Sequence, residues 1–310
     1  MKKTSIGGQA LIEGVMMRGP ESIAIAVRKP DGEIVIDKKD IDPSKNNKFK
    51  KVPVVRGVVE FFRMMVIGVK ALMFSAEFVD LEEDKKESKF DSFLKRIFGD
   101  RLLDAIIYFS VILSIAFSVG LFILVPNFLA ALLPFDKKTF SGVVYYNLFE
   151  GVIKLLIFFL YLALTSMLKD IKRVWQYHGA EHKTIHCYES EEELTVENVR
   201  KHTTKHPRCG TSFLFIVIMI SIVVFAFTGW HNILINTLIR LLLVPLVAGL
   251  SYEVLKFAGR HSEHPVIKVL NAPGIGFQYF TTREPDDDQI EVAIQAFKNV
   301  LVEDKEADKW

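Results

Sequence analysis

The chain has 310 residues, is 50% hydrophobic with a mean hydropathy of +0.25, and carries a net charge of only +2 with 25% charged residues. The near-neutral balance argues against a dedicated nucleic-acid binder. Two cysteines, Cys187 and Cys209, outside any C-x-x-C pair argue against a disulfide framework. The apolar excess lies in runs long enough to cross a bilayer, so polar parts must stand outside it.

Residues 1–8 hold two lysines with no apolar stretch behind them, so no signal peptide is expected. Residues 5–20, SIGGQALIEGVMMRGP, read as short strands and turns punctuated by glycine. Without a G-K-[ST] they are not a phosphate loop. Glu13 and Arg18 inside them are expected in a buried ion pair or in bonds that hold a loop. Residues 22–42 alternate apolar and polar around Asp31-Gly32, which predicts a β-hairpin. A lone hairpin is marginal in water and must pack on something, with the C-terminal region the candidate.

Residues 54–80 have helical charge spacing at Arg56, Glu60, Arg63, Lys70 and Glu77. They fit an amphipathic helix in the cytoplasmic interface or one packed on the spans. Residues 82–101 read as a charged juxtamembrane linker with a short helical pattern over 90–98.

Four spans are expected, over 102–125, 143–168, 212–230 and 233–257. Glu150 and Lys154 in the second span can pair at i,i+4. Lys and Arg cluster before the first span, between the second and third, and after the fourth. Both termini and the loop 169–211 are therefore expected on the cytoplasmic side of the cell membrane.

The loop 169–211 starts helically as WQYHGAEHKTIHC, over 175–187. Glu189, Glu191, Glu192 and Glu193 then read as a solvated acidic face, and Thr195 as the cap of a short helix up to His202. Lys183 and Arg208 are read as contacts to lipid phosphates or to an anionic substrate. After the fourth span, Pro265 is expected to stop the helix, and 268–276 to form a loop. Asp286 to Asp288 lead an amphipathic helix whose stripe is Ile290, Ala293, Ile294, Phe297, Val300 and Leu301.

The chemistry-bearing residues gather on the cytoplasmic side. His178, His182 and His186 are spaced by four, one helical face apart by single turns. His202 and His206 repeat the spacing, Cys209 follows, and His261 and His264 flank Glu263. Imidazole and thiolate suit zinc, and a catalytic zinc site needs three protein ligands and an open position. His178 and His182 supply two ligands. A third comes from His261, Glu263 or His264, or else from His206 or Cys209. Glu181 within the same turn is the candidate general base, and His178-x-x-Glu181-His182 matches the H-x-x-E-H pattern. The competing arrangement is a closed structural site of His186, His202, His206 and Cys209. Cys187 reads as a small buried residue.

The motifs GGQALIEGVMMRGP, YHGAEHKTIHCYE, HPRCGTSF, RHSEHP and TTREPDDDQIEVAI, in this order over nearly the whole chain, resemble the YqhQ family of bacterial membrane proteins (domain of unknown function 1385). The resemblance implies a bacterial inner-membrane architecture and, from the family's description, predicted metal-dependent enzymes.

The expected fold is an α-helical polytopic membrane protein with four transmembrane helices and a cytoplasmic α+β portion. Its parts are a hairpin region (1–53), an amphipathic and juxtamembrane segment (54–101), a membrane domain (102–257) and a C-terminal loop and helix (258–310). The hairpin and the C-terminal helix are expected to pack against the His-bearing face. The expected function is a metal-dependent hydrolase at the cytoplasmic membrane interface, with zinc or a similar divalent metal as cofactor and the bilayer as partner. The alternative is a non-enzymatic membrane factor, with a structural metal, that docks another membrane protein in translocation or quality control.

Overall fold

The computed structural model describes residues 3–41, 52–78, 102–261, 264–302 and 308. The linker expected over 82–101 and the candidate ligand Glu263 lie outside them. The chain divides into two compact units, residues 1–79, 159–220 and 244–310, and residues 80–158 and 221–243.

The first unit opens with β1 (Gly7–Leu11), β2 (Gly14–Arg18), β3 (Ser22–Arg28) and β4 (Ile34–Asp40), an antiparallel meander in the order β1-β2-β3-β4. The β3–β4 hairpin turns at Gly32, whose φ of 89° suits glycine. The strands preceding it extend the expected hairpin into a full sheet. Alternation gives the sheet two apolar faces. On one, Val15, Met17, Ala24 and Ala26 share a buried cluster with Tyr177, Ala180 and Ile185 and with Ile290, Ala293 and Phe297. On the other, Leu11, Met16, Ile25 and Val27 pack with Ala71. The helices responsible are α1 (Val55–Ala76), α5 (Lys169–Glu189) and α10 (Asp287–Lys298). The sheet and the C-terminal helix thus pack on the expected helix, but in the shared cluster they meet its Tyr177, Ala180 and Ile185 rather than its histidines. Helix α10 begins with a capping box between Asp286 and Gln289, which satisfies two of its free N–H groups.

The second unit contains α2 (Leu102–Val119), a π-helical turn (Gly120–Leu124), α3 (Val125–Ala131) and much of α4 (Phe140–Thr165). Its buried polar groups meet one another. Arg240 pairs with Glu150, Lys154 stands 3.7 Å from the same carboxylate, and the Tyr146 hydroxyl donates to the Asn127 carbonyl at 2.9 Å. Glu150 and Lys154 thus meet as their spacing implied, with Arg240 added.

Among the described residues, three helices are long and apolar enough to cross a membrane: Phe109–Ala131, Phe140–Thr165 and Ile233–Arg260. The expected third span is the shorter α7 (Gly210–Ala226), which ends before Gly229 at φ 71°. Between α5 and α7, the short helix α6 (Val196–Arg200) is capped by the Thr195 side chain as expected. Helix α8 is Ile233–Arg260.

One expectation about secondary structure fails outright. Residues 268–276 are not a loop but part of helix α9 (Pro265–Thr281). Pro265 begins that helix, where its missing N–H costs nothing. The interior Pro273-Gly274 pair is carried by tertiary packing. Gly274 lies against Ser212, where a Cβ would meet the Ser212 Cα at 2.8 Å, and Phe280 meets Phe159 edge-on at 4.8 Å.

Candidate metal centre

Helix α5 carries the centre. From Tyr177 onward most of it is buried between β1, the segment 203–209 and the end of α9. Gly179 permits the last of these approaches. A Cβ there would lie 2.0 Å from the Arg283 carbonyl oxygen, so only glycine lets the chain at 281–283 pass so close. That pass is fixed by the Arg283 N–H donating to the Trp175 carbonyl at 2.9 Å. Gly8 of β1 is a second close approach, with a built Cβ 2.8 Å from the Glu181 Cγ.

Two imidazoles are oriented by backbone. His178 Nδ1 lies 2.7 Å from the Thr281 carbonyl oxygen, and His182 Nδ1 lies 2.5 Å from that of Thr204. A carbonyl can only accept, so in the neutral ring each Nδ1 carries the proton and each Nε2 keeps its lone pair. Metal-ligating histidines are commonly held in this way. The Cys209 Sγ stands 3.3 Å from His178 Nε2, and the ligand atoms of His178, His182 and Cys209 all lie within 4.8 Å of one another.

Glu181 is placed by the same turn of helix. Its Oε1 accepts the Gly8 N–H at 2.9 Å, while Oε2 lies 3.8 Å from His178 Nε2 and 3.6 Å from His182 Nε2. Burial pushes its pKa above the ordinary carboxylate value, against the pull of His178 and the Gly8 N–H. These groups line a cavity of about 100 Å³ that Gly7 and Gly8 also border. Two nitrogens, one sulfur and a basic carboxylate around such a space can hold a zinc-sized ion and move a proton beside it.

The second histidine group has a different character. His186, Glu189 and His206 also bring ligand atoms together. Their place for a cation is taken by Arg208, which pairs with Glu189 and lies 3.4 Å from His206 Nε2. Burial would raise the Glu189 pKa, but His206, Arg208 and the Thr4 N–H outweigh it and bring it down to about 2. Burial lowers His206 to about 3, in spite of Glu189, and lowers His186 as well. Gln278 clamps the His206 backbone, donating to its carbonyl and accepting its N–H, each at 2.8 Å. This group ties residues 203–209 to α5 and α9.

The chain is matched over residues 52–303 by the model of a family described as "Protein of unknown function (DUF1385)". It belongs to this family. An uncharacterized protein of Bacillus subtilis (strain 168), YqhQ, is 37% identical over 309 residues, covering 95% of this chain and 92% of that protein. No solved structure matches the chain. The family resemblance read from the five motifs therefore stands. The family match includes His178, Glu181, His182 and Cys209, while Gly8 lies before it.

Of the candidate ligands, His178, His182 and Cys209 come together, and His186 and His206 form the Arg208 clamp. His261 and His264 join neither group. His261 is exposed, stacks on Phe257 at 4.4 Å and bonds to its own helix through Nδ1. His264 caps α9, its Nδ1 accepting the Val266 N–H. The four-residue closed set of His186, His202, His206 and Cys209 is split among separate groups. Glu189 is no solvated acid, since it is buried in its pair with Arg208. Lys183 is also buried, donating to the Arg200 carbonyl at 2.9 Å and pairing with Glu284 at 2.7 Å, so neither cation faces a lipid phosphate. Glu13 and Arg18 are tied, but to different partners, Arg173 and Glu60. The carbonyls of Thr204 and Thr281 escaped the sequence reading because backbone acceptors leave no mark in residue type.

Proposed function

We propose that the chain is a membrane-bound, metal-dependent hydrolase of the cytoplasmic membrane interface. His178, His182 and Cys209 hold a divalent ion, and Glu181 is the general base. One observation carries the reading: both Nε2 lone pairs, the Cys209 thiol and one Glu181 oxygen meet at a single cavity, while the two Nδ1 atoms are tied to carbonyls. The mixed nitrogen and sulfur donor set selects zinc over magnesium or calcium. Zinc supplies Lewis acidity toward water and a carbonyl or phosphoryl oxygen. The protein's own groups do the rest. The Gly8 N–H fixes Glu181 through Oε1, leaving Oε2 to take a proton from the attacking water and to return it to the leaving group. Burial of Glu181, only 4% exposed, makes its carboxylate a stronger base than one in water.

We read all four apolar helices as spanning the cell membrane with both termini cytoplasmic. Helix α7 has 17 residues, at the short end of the spanning range. The Lys and Arg distribution supports the orientation. Cys209 directly precedes α7, which suits a substrate presented at the bilayer surface.

The test is Glu181→Gln, purified in detergent with its metal content measured and used to complement a deletion strain. Retained metal with lost function is expected. Retained metal with full function would remove Glu181 as base and favour a non-enzymatic factor that docks a membrane protein.

A further inference from the structure

Outside the centre lies a second grouping of donors, from three pieces of chain. Cys187 is in the last turn of α5, Glu192 is in the turn that follows, and His202 comes just after α6. Their ligand atoms lie within 4.8 Å of one another. The His202 Nε2 atom is enclosed and has no hydrogen-bond partner, with Glu192 Oε1 3.5 Å away. An enclosed imidazole nitrogen without a partner is costly unless something fills its lone pair. Among the described residues, the fully buried Cys187 Sγ meets the Glu193 carbonyl oxygen at 3.6 Å and, more loosely, that of Glu192 at 4.0 Å.

We propose that Cys187, Glu192 and His202 form a second divalent-metal site, suited to zinc, that staples the end of α5 to the chain returning from α6. A thiolate and a carboxylate balance the charge of the ion, and His202 gives its lone pair through Nε2. Glu192 is at the surface, so water completes the fourth position. The staple closes the loop that leads directly into Thr204 and Lys205. Their carbonyls hold His182 Nδ1 and, at 2.9 Å, His186 Nε2. The second ion thus positions the partners of the histidine helix without touching a substrate.

The chain has two cysteines, one in each site, so sulfur reports on the sites separately. The full chain in detergent is stripped with chelator and loaded with cobalt(II) alone. Two equivalents are expected in the natural chain, and one in each of Cys187→Ser and His202→Gln. The thiolate-to-cobalt charge-transfer band should persist in Cys209→Ser and vanish in the Cys187→Ser/Cys209→Ser protein. His202→Gln leaves both thiols in place and guards against a loss of fold at Cys187. Its second equivalent should be lost, or weakened well beyond the about 10–100-fold that outer-shell changes alone produce. A single equivalent in the natural chain that depends only on Cys209 would overturn the second site and leave the first standing. So would a Cys209→Ser protein with native circular dichroism but no thiolate band. A band present only with Cys187 would instead remove the first site.

Discussion

Gly179→Ala tests how the centre is built. The new methyl would stand 2.0 Å from the Arg283 carbonyl oxygen and 3.2 Å from Thr204 Cγ2. Backbone is on the other side of the contact, so α5 and residues 281–283 must separate by about 1 Å. Two bonds cross that gap: Arg283 N–H to the Trp175 carbonyl at 2.9 Å and His178 Nδ1–H to the Thr281 carbonyl at 2.7 Å. Stretched by about that much, both pass beyond hydrogen-bond range. Overpacking costs about 1–3 kcal/mol and each of the two lost bonds about 1 kcal/mol, so a loss of roughly 3–5 kcal/mol is expected. Release of His178 from its carbonyl should also weaken zinc by about 10–100-fold. The assays are chelator competition for zinc and denaturation of the chain in detergent. Gly276→Ala is the control, because nothing lies within 4 Å of its Cβ and its helix surface is exposed. It should be neutral or stabilise by up to about 1 kcal/mol. Native zinc affinity and native stability in Gly179→Ala would refute the claim that this close pass orients the ligand.

Glu189→Ala leaves the buried Arg208 guanidinium without its carboxylate and should destabilise the chain by about 3–5 kcal/mol in denaturant titration. A loss below about 1 kcal/mol would show that Arg208 is not held as described. Acidification gives a signed prediction. Burial keeps His206 down to about 3 in the folded chain, while an unfolded histidine titrates near 6.5. The unfolded chain therefore binds more protons between these values, and stability is full above about 6.5 and falls as the pH drops through the window. Glu189, held at about 2 against an ordinary 4.5, acts with the same sign at lower pH. In chelator-treated protein the melting temperature should fall steadily below pH about 6.5. A flat profile down to pH about 4 would contradict the buried neutral His206.

What the sequence made legible was periodic or charged. The turn at Asp31-Gly32, the stripe of α10 and the apolar runs all follow from local spacing, and each has its counterpart in the fold. The spacing of His178 and His182 likewise announced a shared face, and Cys209 stood among the candidates for a third ligand. Long-range packing was hidden. Pro273-Gly274 looks like a loop because the contact that carries it there, with Ser212, is distant in sequence. His261 and His264 looked like ligands because residue type cannot tell a cap or a stacked ring from a donor. Glu189 looked solvated beside three further glutamates, although Arg208 and the Thr4 N–H had taken it inside.

The central claim is that His178, His182 and Cys209 hold one metal ion beside Glu181. X-ray absorption at the zinc edge of the purified Cys187→Ser protein addresses it directly, because Cys209 is then the only sulfur from cysteine left in the chain. The predicted first shell has one sulfur at about 2.3 Å and nitrogen or oxygen neighbours at about 2.0–2.1 Å. That sulfur should disappear when Cys209→Ser is added. Protein purified without chelator that holds no zinc, or a zinc shell made without sulfur, would contradict the account.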